Sequence, residues 1–304
     1  MLHYSLTPAV TQIEQLRPLE RAAAAFRGGG GKRSRGSSVR SRRPLGFHLK
    51  VDTGMNRLGV PPGELDQLMG VLADCPHLRL DGTFTHFASS EDFTRDQTEE
   101  QERAFCGVLE RLRAAGFEPG TVHLANSAAI ASRPSTWAHM VRPGAQLYGY
   151  HQSYIPPERK AEIDAKLPLR PALSLRTRII SLKDVPAGSG VGYNARFVTQ
   201  RPSRIAVIAA GYADGLVRQL SNRGRVLIRG RCLPLVGTIS MDLAMVDVTD
   251  LPEVRVGDVV TIYGPDGAFG HAALYASDVA HALGTVTSDL LCALGKRVPR
   301  FYLP

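Results

Sequence analysis

Three side chains in the first half of the sequence are of types that bind anions or move protons. Lys50 lies in an apolar stretch, Arg57 follows seven residues later, and His86 stands between Thr85 and Phe87. Each also has an ordinary structural explanation. A lysine in a strand is more often an edge or surface residue, and a histidine of this kind is often a hydrogen-bonded core residue. Taken singly, these residues leave both explanations open.

Two further segments offer groups that suit phosphate. Asn126-Ser127 follows a strand pattern, where it either caps a helix or holds a phosphate on the free N–H groups of the helix N-terminus. Arg142-Pro-Gly144-Ala145 places a cation and backbone N–H groups after another strand pattern. In the second half, Gly211–Gly215 is typical of a turn, and Gly237–Asp242 alone indicates no function.

Strand and helix patterns alternate through residues 45–150, and the polar groups fall just past the strand ends. The strand patterns are Leu45–Val51, Leu80–Phe87, Thr121–Ala125 and His139–Arg142, and the helical patterns begin near Pro61 and cover Thr94–Ala115 and Ser127–Ser132. Repeated βα units with chemistry after the strands predict a parallel barrel with its site at the C-terminal face. Eight such units normally need about 250 residues. We therefore expect an incomplete (β/α)8 barrel in residues 1–150, with a smaller open α/β sheet as the alternative.

The character of the sequence changes near Leu169. Residues 151–168 are rich in proline and charge and are expected to form a connection. Short apolar runs separated by Gly, Pro and Asp then predict an all-β domain over 169–304, which ends in a helix at Ala276–Leu283. The predicted strands are Leu173–Val185, Arg204–Ala210, Arg225–Ile228, Ala244–Val248 and Asp258–Tyr263. The expected fold class is thus α/β plus all-β.

The net charge of +9 suggests a nucleic-acid partner, but its distribution weakens that idea. Residues 27–43 carry seven basic residues and no acidic residue, so the remainder of the chain has a net charge of only +2. This segment has no aromatic residue on which bases could stack, so we expect a flexible basic insertion rather than a binding arm. The four cysteines are scattered, and the sequence has neither an apolar run that spans a bilayer nor a secretory signal. We therefore expect a cytoplasmic protein without nucleic-acid or membrane partners.

In their order and spacing, these motifs resemble those of the alanine racemases, which use pyridoxal 5'-phosphate (PLP). The most specific is His48-Leu-Lys-Val-Asp-Thr-Gly-Met-Asn-Arg-Leu-Gly-Val60. The resemblance continues through Asn126-Ser127, Arg142-Pro-Gly-Ala145, Val191-Gly-Tyr-Asn194, Gly211–Gly215 and Gly237–Asp242. It covers essentially the whole chain except 27–43.

The resemblance implies a role for each matching position. Tyr193 matches the catalytic tyrosine, and Lys50 matches a lysine that is carbamylated in many members and then positions Arg57. The substrate-binding positions it implies are Arg57, Met241, Tyr212 and Asp242. The cofactor-binding positions it implies are His86, Asn126, Ser127, Arg142, Gly144 and Ala145, with Arg142 on the pyridine nitrogen. No metal is implied, and Ser240 stands where members often have cysteine.

The reaction that the resemblance implies explains these residue types. Racemisation of alanine removes the α-proton from one face and returns it on the other, so two bases are needed. In the family these are the PLP lysine and the tyrosine. The ordinary pKa of tyrosine is about 10, and a nearby guanidinium such as Arg57 or Arg142 favours the phenolate. The resemblance also implies a homodimer with shared active sites, in which the β domain of one subunit places its tyrosine in the barrel of the other, and D-alanine for peptidoglycan as the product.

The chain departs from the family at one motif. The PLP lysine of the family belongs to a first-strand motif that has no match here, and the lysines present are Lys32, Lys50, Lys160, Lys166, Lys183 and Lys296. The opening His3–Val10 resembles the fourth barrel strand, so we expect the chain to lack the N-terminal segment that carries the lysine. The alternatives are a catalytically dead fragment or pseudoenzyme, or another PLP enzyme of this fold such as a broader amino-acid racemase or a decarboxylase.

Overall fold

The computed structural model describes residues 4, 6–28, 43–266 and 272–303, and it divides the chain into two compact units. The first comprises 1–147 and 151–169, and the second comprises 148–150 and 170–304. The predicted connection 151–168 therefore groups with the first unit, where it contains a helix. Most of the basic insertion lies outside the described residues. The part of it at 27–28 is the end of a helix.

The first unit is built on a parallel sheet whose strands follow one another in chain order. Its strands are β1 (Ala9–Val10), β2 (Leu45–Lys50), β3 (Leu78–Phe84) and β4 (Thr121–His123). Its helices are α1 (Leu16–Gly28), α2 (Leu65–Ala73), α3 (Gln97–Ala114), α4 (Ser127–Ser132) and α5 (Arg159–Lys166). The order β1-β2-β3-β4 with helices between the strands is that of a barrel segment.

Helix α3 shows how the sequence pattern sets this core. Phe105, Val108, Leu109 and Leu112 recur at helical spacing and are all buried. Gly116 follows the helix with a φ of 81°, a left-handed conformation that glycine adopts without steric cost. The helix predicted over Thr94–Ala115 is confirmed, although it begins three residues later.

The predicted strand His139–Arg142 is wrong. This segment makes two backbone hydrogen bonds alongside β4, from His139 N to Val122 O at 3.0 Å and from Arg142 N to Ala125 O at 3.0 Å, but no ladder forms. Pro143 restricts Arg142 and has no N–H of its own. The side chain of Arg142 also binds backbone carbonyl oxygens just past β3 and β4, so those oxygens are used by a guanidinium rather than by strand pairing.

The second unit is an antiparallel sheet that closes on itself. Its order is β13-β12-β5-β8-β11-β10-β9, and β12 also pairs with β9. The strands are β5 (Leu175–Val185), β8 (Ser203–Ile208), β9 (Arg225–Ile228), β10 (Arg231–Val236), β11 (Ala244–Asp247), β12 (Val259–Pro265) and β13 (Ala273–Leu274), with a small separate pair β6 (Gly190–Val191) and β7 (Phe197–Val198). Helices α6 (Ala276–Leu283) and α7 (Thr287–Cys292) follow. The all-β prediction for this half is confirmed.

Strand β10 was missed because it contains Pro234, which usually argues against a strand inside a sheet. Pro234 pairs with Arg225 of β9, whereas β11 pairs only with Leu235 and Val236. The proline therefore lies beyond the part of β10 that has neighbours on both sides. No helix among the described residues is long and apolar enough to cross a membrane.

Candidate active site

Lys50 is the last residue of β2, and it is followed by a closed loop over residues 52–60 that contains Arg57. The loop is fixed at its base because Asp52 N donates to Val60 O at 3.0 Å and Val60 N donates to Lys50 O at 2.9 Å. Inside it, one carboxylate oxygen of Asp52 accepts three backbone N–H groups, those of residues 54, 55 and 56, at 3.0 to 3.1 Å. Burial raises the pKa of Asp52, but these hydrogen bonds outweigh it and the net pKa is lowered.

Lys50 is buried and its ammonium group lies among cations. Burial is the largest cause that lowers its pKa, followed by the charge of Arg57; Asp52 raises the pKa, and Arg142 lowers it by a smaller effect, so that the net pKa is lowered. Arg57 itself is exposed, so its charge acts on Lys50 from the solvent side while Lys50 is buried at the strand end. The site therefore favours a neutral amine, or a negatively charged derivative of it, at Lys50.

Arg142 links the ends of two strands. Its Nη2 donates to Thr85 O at 2.8 Å and to Leu124 O at 3.1 Å, and it lies 3.3 Å from His86 Nδ1. Its Nη1 lies 2.6 Å from His123 Nδ1. These contacts place a half-buried guanidinium across the carboxyl ends of β3 and β4, which is where the barrel prediction put the site.

The histidines around Arg142 are neutral at physiological pH. Burial, then the charge of Arg142, lowers the pKa of His86 to about 4 and that of His123 to about 3. Because a guanidinium only donates, His123 Nδ1 must accept, so its proton lies on Nε2. That nitrogen donates to His48 Nδ1 at 2.8 Å. Gly82 makes room for this pair, since a Cβ there would lie 2.6 Å from the His48 ring.

Sequence reasoning missed His48 and His123 as parts of this site. His48 opens the most specific motif, and His123 lies in a predicted strand, but neither position signals a contact 75 residues away in the chain. The available signal was the presence of a histidine in each of two strands of the sheet core, β2 and β4, since buried imidazoles need polar partners.

Asn126, Ser127 and Gly144 meet at the start of α4. Asn126 caps the helix, since its side-chain oxygen accepts Ala129 N at 3.1 Å, and it also accepts Ser90 Oγ at 2.7 Å. Ser127 Oγ accepts Gly144 N at 2.8 Å. Of the two uses predicted for Asn126-Ser127, the cap is therefore made by Asn126, while the hydroxyl of buried Ser127 faces the Gly144-Ala145 turn.

These groups fit PLP in their donor chemistry. Arg142 Nε makes no hydrogen bond with a described residue, and no described carboxylate lies within ion-pair distance of this guanidinium. The Ser127 hydroxyl accepts one hydrogen bond, and no described residue takes its own proton. A pyridine nitrogen needs a donor and a phosphate needs several, so Arg142 and Ser127 offer what the cofactor requires. Among the described residues, no cluster of histidine, cysteine and carboxylate side chains suits a metal.

The remaining predicted site residues lie in the second unit, along the segment 237–242. At one end, Gly192 approaches it so closely that a Cβ would lie 3.3 Å from Thr238 N, and the exposed Tyr193 follows in a tight turn. At the other end, Tyr212 N donates to Ser240 O at 3.0 Å. The structure thus brings the Tyr193 and Tyr212 turns to one segment, next to Met241 and Asp242.

Comparison with known proteins agrees with this arrangement. Residues 1–152 match the family model "Alanine racemase, N-terminal domain", and residues 172–302 match "Alanine racemase, C-terminal domain". The alanine racemase of Sorangium cellulosum is 40% identical over 85% of this chain and 66% of its own length. That of Desulfosudis oleivorans is 39% identical over 99% of this chain and 74% of its own length.

A solved structure leads to the same family. The alanine racemase from Bartonella henselae with covalently bound pyridoxal phosphate is 28% identical, has a TM-score of 0.80, and matches 99% of this chain and 74% of that one. The α/β unit followed by an all-β unit is the arrangement of the two domains of a PLP-dependent amino-acid racemase. The chain belongs to the alanine racemase family, and the predicted fold class and cofactor are confirmed at the level of that family.

Proposed function

We propose that the protein racemises alanine with PLP, interconverting the L and D enantiomers to supply D-alanine for peptidoglycan. The observation that carries the proposal is the environment of Arg142, a guanidinium with an open Nε, neutral imidazoles beside it and no described carboxylate in ion-pair contact. In many PLP enzymes a carboxylate would stand opposite the pyridine nitrogen.

When bound, PLP supplies the electron sink that makes the α-proton of the amino acid acidic. Arg142 would donate to its pyridine nitrogen and, because guanidinium does not give up its proton, would leave that nitrogen unprotonated. His86 and Asn126 would lie against the ring. Ser127 and the backbone of Gly144 and Ala145 would hold the phosphate.

The protein would bind the substrate through its carboxylate, and a phenol would act on its α-proton. We assign Arg57 and the backbone of Met241 to the carboxylate, with Asp242 beside Met241 and Tyr212 at the entrance. Tyr193 Oη would remove the α-proton of L-alanine on one face and return it in the reverse direction, and racemisation needs a second base on the other face, which in the family is the PLP lysine. A nearby guanidinium lowers the cost of the phenolate that this requires.

Tyr193→Phe tests the assignment, since it removes the Oη and little else. In the protein fused to a segment that carries the family's PLP-lysine motif, we expect L-to-D conversion to fall by at least roughly 10²-fold, while exchange of the D-alanine α-proton in deuterated water, for which that lysine is the base, persists in part. Tyr302→Phe is the matched control because Tyr302 is 91% exposed in the same unit. Equal activity of the Tyr193→Phe and Tyr302→Phe proteins would rule out this role.

We also propose a homodimer in which each active site takes Tyr193 from one copy and Arg142 from the other. Tyr193→Phe and Arg142→Ala would then each disable every site in its own dimer. In a mixed dimer, one site would carry both substitutions and the other neither. Unfolding and refolding the two inactive variants together should restore activity, and failure of such a mixture to recover would contradict the shared site.

A catalytically dead member of the family is the second candidate, because none of the lysines in the sequence lies in the family's PLP-lysine motif. It predicts a protein that binds PLP, seen by absorbance, without turning over any amino acid. A broader amino-acid racemase would instead turn over larger substrates as well as alanine.

The cysteines of the described residues are free thiols, which suits a reducing cytoplasm.

A further inference from the structure

Arg297, which no part of the proposed mechanism uses, joins two loops of the second unit. Its Nε and Nη2 donate to the two carboxylate oxygens of Asp214 at 2.8 and 2.9 Å. The same Nη2 lies 2.8 Å from Asp242 Oδ1 and 3.4 Å from Met241 O. One guanidinium therefore contacts the loop that carries Tyr212 and the loop that carries Met241.

Asp214 transmits this contact to the Tyr212 turn. Its Oδ2 accepts Gly211 N at 2.9 Å and so closes the turn over Tyr212–Asp214. A carboxylate that accepts from a backbone N–H and from a bidentate guanidinium is held in one orientation. The hydrogen bonds to Asp214 and Asp242 also raise the pKa of Arg297.

The two loops are in direct backbone contact beneath Arg297. Tyr212 N donates to Ser240 O at 3.0 Å, and Ala213 N donates to Met241 O at 3.1 Å. A Cβ on Gly211 would lie 2.3 Å from both Ser240 O and Met241 O, so the approach depends on glycine at that position.

The segment before Arg297 packs on the same turn. A Cβ on Gly215 would lie 2.6 Å from Leu294 Cδ2, and one on Gly295 would lie 2.7 Å from Ala213 O. The backbone before Arg297 is therefore closely packed on this turn, and this packing, together with the long side chain, places the guanidinium beside Asp214. Arg297 and Asp242 remain about half exposed, at 47% and 59%, and exposed ion pairs add little to the stability of a fold. Position, rather than stability, is what such a contact controls.

We infer that Arg297 is a positioning residue, which fixes the Tyr212 and Met241 loops against each other and neutralises Asp214 and Asp242 where the substrate carboxylate docks. The statement about the substrate rests on the proposed function, whereas the statement about the loops does not. Without Arg297, two carboxylates would face an incoming carboxylate, and like charges at short range repel. The alanine zwitterion should therefore bind less well.

Arg297→Gln tests both statements, and Arg229→Gln is the matched control because Arg229 makes a similar bidentate pair with Asp258, at 2.9 and 3.2 Å. We expect amide hydrogen exchange at Tyr212 and Ala213 to speed up roughly tenfold or more in Arg297→Gln and to stay unchanged in Arg229→Gln. Unchanged exchange at both amides in Arg297→Gln would overturn the inference.

Kinetics then separate position from charge. Arg297→Gln should raise KM for alanine roughly tenfold with a smaller change in kcat, and Arg297→Lys, which keeps the charge but not the bidentate fork, should fall between. Equal losses of kcat in Arg297→Gln and Arg229→Gln, with KM unmoved, would overturn the substrate part. A wild-type protein without racemase activity would instead contradict the proposed function, and the exchange experiment would still decide whether Arg297 holds the loops.

Discussion

At the scale of single residues, Arg142 and burial together set the protonation state of the neighbouring histidines. Burial and its positive charge keep His86 and His123 neutral, and a neutral His123 is what allows Arg142 to donate to a ring nitrogen. The guanidinium and the imidazoles therefore maintain each other: the charge keeps protons off the rings, and the rings supply acceptors for the charge.

Removing that charge should raise the pKa of both histidines. In Arg142→Gln, we expect the pKa of His86 and His123 to rise from about 4 and about 3 but to stay below 6.5, because burial is the larger cause and remains. NMR titration of the imidazole protons measures this. Arg133→Gln, which removes a guanidinium paired with Glu99, is the control and should move neither value. A lower or unchanged pKa of His86 in Arg142→Gln would refute the electrostatic account.

Lys50 should react with carbon dioxide. Its amine is pushed toward the neutral form by burial and by Arg57 and Arg142, and a carbamate would replace a repelled cation with an anion that these arginines attract. With 13C-bicarbonate, we expect a carbamate resonance that disappears in Lys50→Met and survives in Lys183→Met, an exposed control. A spectrum in which Lys50→Met leaves the resonance in place would exclude this site.

At the scale of elements, the sequence predicted the parts that local pattern controls. Helix α3 shows a clear apolar stripe, and α6 was predicted with the same bounds as observed. The error at His139–Arg142 had a different origin. An apolar run was interpreted as a strand, but the carbonyl oxygens of Thr85 and Leu124 beside it accept hydrogen bonds from the Arg142 side chain. The His48–His123 contact was not predictable either, because it depends on strand register, which alternation alone leaves open.

The loop over residues 52–60 should depend on Asp52 more than on any exposed carboxylate. Asp52→Ala leaves three backbone N–H groups without their acceptor, which should cost about 1–3 kcal/mol of unfolding free energy and loosen the segment that carries Arg57. Asp52→Asn keeps an acceptor oxygen and should cost less. Urea denaturation measures the cost, and KM for alanine reports on Arg57.

Asp66→Ala is the control for that experiment. The Asp66 side chain is 78% exposed and pairs with Arg111 at 2.9 Å, so its loss should change stability by no more than about 0.5 kcal/mol. If Asp52→Ala were no more costly than Asp66→Ala, the loop would not be held by the Asp52 carboxylate.

At the scale of the whole molecule, the division into an α/β half and an all-β half was predictable because the pattern of apolar runs changes near residue 169. The net charge was a poorer guide. Most of the +9 comes from residues 27–43, while the described site depends on Arg57, the half-buried Arg142 and neutral histidines, which composition does not reveal.

Those neutral histidines make the first unit sensitive to acid. His86, His123 and His48 have pKa values below 6.5 in the folded protein, chiefly because they are buried. Between pH 6.5 and 4, the unfolded chain binds protons that the folded chain does not, so unfolding becomes easier as the pH falls. The stabilising contribution is complete above pH 6.5 and is lost through this window. Asp52, whose pKa is lowered from 3.8, loses its contribution only at more acidic pH.

The unfolding free energy of the first unit should therefore fall by about 1.4 kcal/mol per pH unit for each imidazole that takes up its proton only on unfolding. Trp137 is the one tryptophan of the sequence and lies in that unit, so its fluorescence in urea reports on the right transition. His86→Gln should flatten the slope between pH 6 and pH 4.5 by about that amount, whereas His281→Gln, an exposed position in the second unit, should leave it unchanged. A slope that His86→Gln does not alter would mean that His86 already carries its proton in the folded protein, and the donor chemistry assigned to Arg142 would fail with it.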